Sequence, residues 1–173
     1  VRGNEAIVHL VGGTSSITWL EPSGNLVTVM ITTVGPDAPA PDPALLDHLV
    51  ELGANLLYLT PVFPAASNHR YDAASFLSVD PLLGGDEAYI RLIDAAHKRG
   101  IRVIGDLTSN HSGDRHEWFL SALGNPAAPA EEFYYFTDEG NTEYVSWLGY
   151  PTLPKFNWAS EKLRERFIDG PDS

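Results

Sequence analysis

The chain has 173 residues, of which 43% are hydrophobic and 10% aromatic, as is typical of a globular protein with one sizeable core. It contains no cysteine, which excludes disulfides, zinc–cysteine sites and thiol nucleophiles. A net charge of -12 makes nucleic acid and anionic membrane surfaces unfavourable partners. No apolar run approaches the roughly 20 residues of a membrane span. The N-terminus also lacks the features of a signal peptide, which predicts a cytoplasmic protein.

The first part of the chain, residues 1–34, is predicted to be a β segment. Residues 6–11, 16–20 and 26–34 are rich in β-branched side chains and are separated by glycine-containing turns. Four prolines follow within residues 35–43, which can continue neither a helix nor a central strand. We therefore predict a linker or long loop there.

A helical period begins after this linker. Asp42 is a suitable N-cap, Pro43 suits the first helical position, and Gly53 is a suitable stop. One apolar face is predicted for this helix, formed by Leu45, Leu46, Leu49, Val50 and Leu52. Residues 55–60 are almost wholly apolar, as is typical of a strand buried on both faces.

The same order of elements is then repeated. A long polar loop over 61–85 precedes a second predicted helix over 86–99, and residues 101–106 form the next predicted strand. The buried side of this second helix is predicted to consist of Tyr89, Ile90, Leu92, Ile93 and Ala96. Helices that alternate with strands through tight connections predict a parallel sheet and an α/β fold.

The regular rhythm ends after residue 107. A short helix is predicted over 115–123, followed by an irregular aromatic stretch over 133–150. Ser160 is a suitable N-cap for a last helical segment over 163–168.

Polar side chains follow both predicted parallel strands. Residues 68–72 follow the first, and Asp106, Asn110 and His111 follow the second. Because function gathers at the carboxyl ends of the strands in parallel sheets, these groups are candidates for a site. From the residues alone, Asp106 is equally suited to be a base, a ligand or a cap of the strand end.

Four segments together resemble the α-amylase family of glycoside hydrolases. Residues 106–111, Asp-Leu-Thr-Ser-Asn-His, resemble the Asp-x-x-x-Asn-His signature at the end of barrel strand three. Residues 49–61 resemble the helix and second strand that precede it, and 68–72 with 80–85 resemble the following loop. Leu-Pro-Lys-Phe-Asn at 153–157 is similar to the Met-Pro-Lys-Leu-Asn segment of the neopullulanase, cyclomaltodextrinase and maltogenic-amylase branch.

The resemblance implies a role for five residues. Tyr71 would stack under the sugar ring next to the cleaved bond, Asp72 would accept hydrogen bonds from its hydroxyls, and His111 would donate to its hydroxymethyl oxygen. Asp106 would orient a site arginine. Asn110 is a calcium ligand in many relatives, so calcium is the one cofactor that the resemblance implies.

The resemblance also implies an architecture. Residues 44–173 would form the front half of a (β/α)8 barrel, with 112–157 as the loop domain that protrudes after strand three, and 1–34 as an accessory remnant or a degenerate first strand. Within the protruding domain, sugar platforms would be provided by Tyr134, Tyr135, Trp147 and Tyr150. When the resemblance is set aside, the aromatic residue types over 133–136 predict a position in the core instead.

The activity that the resemblance implies is hydrolysis of α-glucans or malto-oligosaccharides through a covalent glycosyl-enzyme. Retaining glycosidases use two carboxyl groups about 5 Å apart. The family carries them after strands four and five, which we expect beyond Ser173, so we expect no catalytic carboxylate in this chain and no activity from it alone. Two alternatives stay open: a non-catalytic sugar-binding or interaction protein built on part of the barrel, and a zinc hydrolase using His111, Asp114 and His116.

Overall fold

A computed structural model describes residues 18–20, 27–29 and 43–170 of the chain. The predictions for residues 6–11 and for the linker up to Asp42 lie outside these described residues. Contacts divide the chain into two units. We call residues 1–64 with 76–107 the sheet unit, and residues 65–75 with 108–173 the loop unit. Among the described residues, no helix has the length and apolar character needed to cross a membrane.

The regular elements are short. Among the described residues, the strands are β1, Thr18–Leu20; β2, Val27–Val29; β3, Leu56–Leu59; and β4, Arg102–Gly105. The α-helices of this part of the chain are α1, Pro43–Glu51; α2, Gly85–His97; α3, Glu117–Ala122; and α4, Glu161–Arg164. The remaining helical turns are Pro81–Leu83, Glu131–Phe133 and Trp147–Gly149 of 3₁₀ type and Glu165–Asp169 of π type. All four helices predicted after the linker are therefore present, with slightly different ends.

The sheet unit contains one four-stranded sheet in the order β1-β2-β3-β4. β1 pairs antiparallel with β2, whereas β2 with β3 and β3 with β4 pair in parallel. The parallel pairing confirms the prediction made from the alternation of helices and strands. Because β2 lies in parallel beside β3, it has the place that a first barrel strand would have next to the second.

Two identical helix endings set the parallel strands in register. Gly53 and Gly100 have φ of 79° and 74°, a left-handed conformation that costs glycine little. In both endings the glycine N–H donates to the carbonyl oxygen three residues earlier, and the following N–H donates to the carbonyl oxygen five residues earlier. This second bond runs from Ala54 N–H to Leu49 O after α1 and from Ile101 N–H to Ala96 O after α2. This pair of bonds is the Schellman motif, and it turns each helix directly into its following strand.

The core of the sheet unit lies between α1, α2 and the strands β3 and β4. Its buried members are Leu46, Leu49, Ala54, Leu57, Leu59, Ala96 and Ile101. β3 is buried as predicted, with Leu57 fully enclosed. The predicted helix faces were too wide, since Val50 is 44% exposed and Ile90 is 56% exposed. Each helix covers only the narrow strip of a sheet with strands of three or four residues, so side chains at the margin of the apolar face remain in solvent.

The loop unit is organised around the segment 153–156. Backbone hydrogen bonds of 2.9–3.2 Å join this segment to residues 110–112 on one edge and to residues 145–147 on the other. The bridges are isolated antiparallel pairs, such as His111 with Lys155, so the segment is not part of a regular sheet. The Leu-Pro-Lys-Phe-Asn motif thus connects the loop at 110–112 with the loop at 145–147.

Aromatic side chains form the core of the loop unit. Phe119 on α3 packs edge-on against Tyr134 and Tyr144, with ring centroids 5.1 and 4.7 Å apart. Phe156 packs against Tyr134 at 5.4 Å and against Phe167 at 5.5 Å. Large apolar side chains enclosed in this way provide the burial that regular elements provide in the sheet unit.

Candidate functional site

An open cleft of about 920 Å³ lies within the loop unit. Three stretches of chain line it: the loop at 66–72, residues drawn from 111–115 and residues drawn from 147–153. Its lining side chains are Ala66, Ser67, His69, Tyr71, Asp72, His111, Asp114, Arg115, Trp147, Leu148, Tyr150, Thr152 and Leu153. Tyr71, Asp72 and His111, the three predicted sugar-contacting residues, are therefore on one surface.

The position of His111 follows from the backbone pairing of the loop unit. Residues 110–112 and 145–147 flank the segment 153–156, and the rings of His111 and Trp147 stack with centroids 5.4 Å apart and planes inclined by 29°. His111 is 6% exposed, whereas Trp147 is 43% exposed. The indole thus covers one face of the imidazole and presents its own surface to the cleft.

The hydrogen bonds of His111 determine what its ring can offer a ligand. The Asn110 side-chain nitrogen lies 3.0 Å from His111 Nδ1. Because an amide nitrogen donates and does not accept, Nδ1 accepts and the proton of the neutral ring is on Nε2. Nε2 is buried and has no hydrogen-bond partner within the described part of the chain. His111 therefore has a buried Nε2–H on a ring that lines the cleft.

Burial lowers the pKa of His111, and the Tyr71 backbone and the Asp72 charge oppose this effect in part. The neutral ring is consequently the dominant form at neutral pH. A neutral imidazole with a free Nε2–H suits a hydrogen bond to an uncharged acceptor such as a hydroxyl oxygen.

The carboxylate of Asp72 is held by one nearby residue. The Ser67 hydroxyl donates to Asp72 Oδ1, and the Ser67 backbone N–H donates to Oδ2 at 3.1 Å. Ser67 Oγ also lies 3.0 Å from His69 Nδ1. Each carboxylate oxygen keeps further lone pairs, so Asp72 can still accept hydrogen bonds from a ligand.

Tyr71 is held at the mouth of the cleft by its backbone. Its N–H donates to His69 Nδ1 at 3.1 Å, and the two rings lie with centroids 5.8 Å apart. Tyr71 is 36% exposed and lines the cleft. An aromatic face can pack against the apolar face of a sugar ring.

A close backbone contact joins two of the stretches that line the cleft. Gly113 N–H donates to Ala73 O at 2.8 Å, and a Cβ on Gly113 would overlap the Asp72 carbonyl oxygen. Only glycine allows residues 72–73 and 112–113 to approach so closely. The spacing between Asp72 and His111 depends on this contact.

The other predicted site residues differ in their placement. Asn110 supports His111, as described above. Asp106 follows β4 in the sheet unit, where its backbone N–H donates to Leu59 O at 2.8 Å, and its proposed role of orienting an arginine stays a prediction.

The predicted sugar platforms are partly wrong. Tyr134 is 3% exposed and its hydroxyl lies 2.9 Å from Ser112 Oγ. It is therefore a core residue, as the residue types alone had predicted for the aromatics over 133–136. Burial also raises its pKa. Tyr135 is 40% exposed and is not among the residues that line the cleft. Trp147 and Tyr150 do line it.

Neither the zinc hypothesis nor the calcium hypothesis is supported by a set of ligands among the described residues. Among the described residues, no group of three or more His, Asp or Glu side chains is placed to hold a metal ion. His116 is fully buried and its Nδ1 accepts from Trp118 N–H at 3.2 Å, as the N-cap of α3. Calcium at Asn110 stays a prediction, and no chemical step below depends on it.

Sequence reasoning missed several residues of the cleft, among them Ser67 and Leu148. Ser67 could have been found as a hydroxyl five residues before Asp72 in a loop, a spacing at which local side-chain bonds are common. No local pattern signals Leu148, because its importance lies in its backbone conformation and its exposure.

Comparisons with known proteins agree with the motifs. The profile of the family described as "Alpha amylase, catalytic domain" matches residues 44–170. Neopullulanase 2 of Thermoactinomyces vulgaris is 33% identical over 131 residues, which are 72% of this chain and 22% of that protein. Trehalose synthase/amylase TreS of Mycolicibacterium smegmatis is 34% identical over 123 residues, 70% of this chain and 21% of that protein. The chain thus spans about a fifth of these relatives.

A solved structure extends the likeness to three dimensions. The cyclic alpha-maltosyl-(1→6)-maltose hydrolase of Arthrobacter globiformis superposes with a TM-score of 0.69 at 37% identity. The superposition covers 73% of this chain and 30% of that enzyme. Its fold is the α-amylase-type barrel, so the strands and helices within the matched residues 44–170 are part of such a barrel.

Proposed function

This chain belongs to the α-amylase catalytic-domain family of glycoside hydrolases, and from that membership we propose that the protein acts on α-glucosidic bonds of α-glucans or malto-oligosaccharides. One observation carries the proposal: an aromatic ring, a carboxylate and an imidazole line one open cleft. Tyr71, Asp72 and His111 supply these groups.

Each group matches part of a glucose unit. The Tyr71 ring packs against the apolar C–H face of the sugar, Asp72 accepts from its hydroxyls, and His111 Nε2–H donates to an oxygen. The substrate is uncharged, which suits a chain of net charge -12. The fixed hydrogen bonds of Asn110 to His111 and of Ser67 to Asp72 hold both polar groups ready before the sugar arrives.

Bond cleavage needs groups that this stretch does not supply. Double displacement requires a nucleophile and an acid/base, and no segment of this sequence matches the motifs that carry them in the family. Of the carboxylates in the cleft, Asp72 is fixed by Ser67 and is placed to bind. We therefore expect the 173-residue chain to bind malto-oligosaccharides weakly and to release no reducing sugar from maltotriose.

The test uses two preparations. The purified chain is incubated with maltotriose, and released reducing sugar is compared with that from an Asp106→Ala variant. Sugar release by the parent chain and not by the variant would contradict the role given to Asp106. The protein made from its own gene is then isolated with an antibody against this chain and assayed on pullulan, starch and a cyclodextrin. Hydrolysis of any of them supports the proposal, whereas binding without hydrolysis identifies a non-catalytic sugar-binding protein.

A further inference from the structure

One short segment of the loop unit provides four side chains of the cleft. Ser67, His69, Tyr71 and Asp72 all line the cleft and lie within residues 66–72. The proposed function gives sugar contacts to Tyr71 and Asp72 and none to Ser67 and His69. Hydrogen bonds nevertheless connect all four residues, and the chemistry of each group determines which atom donates.

The bond to Tyr71 determines the tautomer of His69. The Tyr71 backbone N–H donates to His69 Nδ1 at 3.1 Å. Because a backbone N–H can only donate, Nδ1 accepts and the proton of the neutral ring is on Nε2. The His69 side chain therefore holds the backbone two residues further along the chain, in the manner of an Asx turn.

The hydroxyl proton of Ser67 is directed to Asp72. Ser67 Oγ contacts Asp72 Oδ1, and the Ser67 backbone N–H donates to Oδ2 at 3.1 Å. The same Oγ lies 3.0 Å from His69 Nδ1. Of these two acceptors the carboxylate is charged and makes the stronger bond, so it takes the single hydroxyl proton. Ser67 thus fixes both carboxylate oxygens of Asp72 and also contacts the group that fixes Tyr71.

The residue between His69 and Tyr71 has a strained backbone. Arg70 has φ of 59°, in the left-handed region that favours glycine. It is 4% exposed, its N–H donates to Ser67 O at 3.3 Å, and its Nη1 donates to Asn68 O at 3.2 Å. Such a conformation persists only where surrounding contacts fix it, and it is concentrated at ligand sites. The bond from Tyr71 N–H to His69 is one of the contacts that fix it here.

We propose that His69 and Ser67 are positioning residues that act as one unit. His69 fixes the backbone of Tyr71, Ser67 fixes the carboxylate of Asp72, and the contact between them sets the ring and the carboxylate at one spacing. This inference rests on the proposed function, in which Tyr71 and Asp72 contact a glucose unit. Two residues that need not touch the sugar then determine its affinity, because fixed contact groups lose less conformational entropy on binding than mobile ones.

The acceptor of His69 has to be separated from its ring. The imidazole lies beside the Tyr71 ring, with centroids 5.8 Å apart and planes inclined by 32°, so ring packing is the rival explanation. His69→Asn removes the ring and keeps a side-chain oxygen that can accept from the N–H two residues on. His69→Phe keeps a ring and has no acceptor. A packing role predicts that Phe is tolerated and Asn is not, whereas the positioning role predicts the reverse.

The experiment follows the backbone amide signals of the ¹⁵N-labelled full chain in NMR spectra during a titration with maltose. The variants are His69→Asn, His69→Phe, Ser67→Ala and the double variant His69→Phe/Ser67→Ala. His97→Phe and Ser121→Ala are the matched controls, an exposed histidine and an exposed serine that are not among the residues lining the cleft. The amide spectrum of each variant without sugar shows that it is folded.

A second measurement needs no sugar. The ¹⁵N shifts of the imidazole nitrogens, recorded in alkaline buffer on the neutral ring, show which nitrogen carries the proton. We expect a proton on Nε2 of His69 and none on Nδ1, with the signals identified by their absence from His69→Asn. A proton on Nδ1 overturns the inference whatever the sugar binding, because Nδ1 could then not accept from Tyr71 N–H.

The expected result is a loss of maltose affinity that is not additive. His69→Phe and Ser67→Ala each lose roughly three- to tenfold, and the double variant loses no more than roughly tenfold, because the two residues act as one unit. His69→Asn stays within about twofold of the parent, and both controls match the parent.

Three results overturn the inference alone while the parent binds maltose: variants that bind as the parent does, losses that multiply in the double variant, and a His69→Asn variant that binds as weakly as His69→Phe. A parent chain that binds no maltose overturns the proposed function, and the inference with it.

Discussion

The sheet unit and the loop unit reach burial by different routes. In the sheet unit, α1 and α2 end in the same Schellman motif and place β3 and β4 side by side, so aliphatic side chains such as Leu57 and Ile101 form the core. In the loop unit, most of the chain lies outside regular elements, and rings such as Phe119 and Phe156 fill the interior.

The difference separates support from recognition. The repeated helix–strand units provide a regular frame, whereas every residue of the cleft belongs to the loop unit. Irregular backbone can present a serine, a histidine and an exposed tryptophan in one place because it is not bound to the period of a helix or strand. Its stability must then come from single large contacts, and individual substitutions should reveal this.

The largest effect is expected in the aromatic core. Phe119→Ala removes a ring that contacts Tyr134 and Tyr144 and should lower the free energy of unfolding of the loop unit by about 3–5 kcal/mol. The matched change in the sheet unit, Leu57→Ala, should cost about 2–5 kcal/mol. Amide hydrogen exchange read by peptide reports each unit in its own segments. Slow, unchanged exchange around residues 117–136 in Phe119→Ala would contradict the central place given to this ring.

The second effect is a dependence of stability on pH. Burial, with a smaller contribution from the charge of Arg166, lowers the pKa of His116 to about 4. In the unfolded chain the pKa is about 6.5, so the unfolded state binds the proton more readily. Stability is therefore fully present above about pH 6.5 and falls as the pH is lowered towards 4, by about 3 kcal/mol at most. Protection of the loop-unit amides from hydrogen exchange, measured between pH 6.5 and pH 4, gives the slope of stability against pH.

The control for this slope is His116→Asn. Asparagine keeps a side-chain oxygen that can cap α3 but does not titrate. The variant is less stable at every pH, because the smaller side chain leaves a gap, yet its stability should change less between pH 6.5 and 4. His111 retains a smaller slope of the same sign, since burial also lowers its pKa. An unchanged slope in His116→Asn would remove His116 as the cause.

The third effect tests the close approach beneath the site. Gly113→Ala places a Cβ against the Asp72 carbonyl oxygen and should cost about 1–3 kcal/mol. It should also weaken binding of maltose, since Asp72 moves away from His111. Gly140→Ala is the control, because that glycine has no positive φ and its new Cβ would meet only the side chains of Asp138 and Thr142. Equal maltose affinity in both variants would mean that the spacing is not critical.

The two units also differ in how far sequence patterns predict them. The helices and parallel strands of the sheet unit follow from apolar periodicity and from glycines at helix ends, which are local signals. The same patterns did not predict that Val50 and Ile90 are exposed, because their exposure depends on the width of the sheet that each helix covers.

In the loop unit the residues alone predicted little beyond α3 and the cap of α4. The contact between His111 and Trp147 joins residues 36 positions apart through the segment 153–156, and no local pattern encodes such a pairing. The family motifs did identify Tyr71, Asp72 and His111 as one set. They also suggested Tyr134 as a sugar platform, which its burial rules out, because a motif gives the residue type but not the direction of the side chain.

The smallest expected effect concerns Ser160, whose capping role the sequence predicted. Its Oγ accepts from Leu163 N–H at 3.2 Å and donates to Glu132 Oε2 at 2.8 Å. Ser160→Ala removes both bonds at a buried position and should destabilise α4 by about 1–2 kcal/mol. Ser121→Ala is the control, since that exposed hydroxyl donates only to Trp118 O within its own helix and should change stability little. Faster exchange confined to residues 161–169 in Ser160→Ala identifies a local cap. Faster exchange that extends to residues 131–133 means instead that the bond to Glu132 is the stronger one, and that α4 is held by the aromatic part of the loop unit more than by its own first turn.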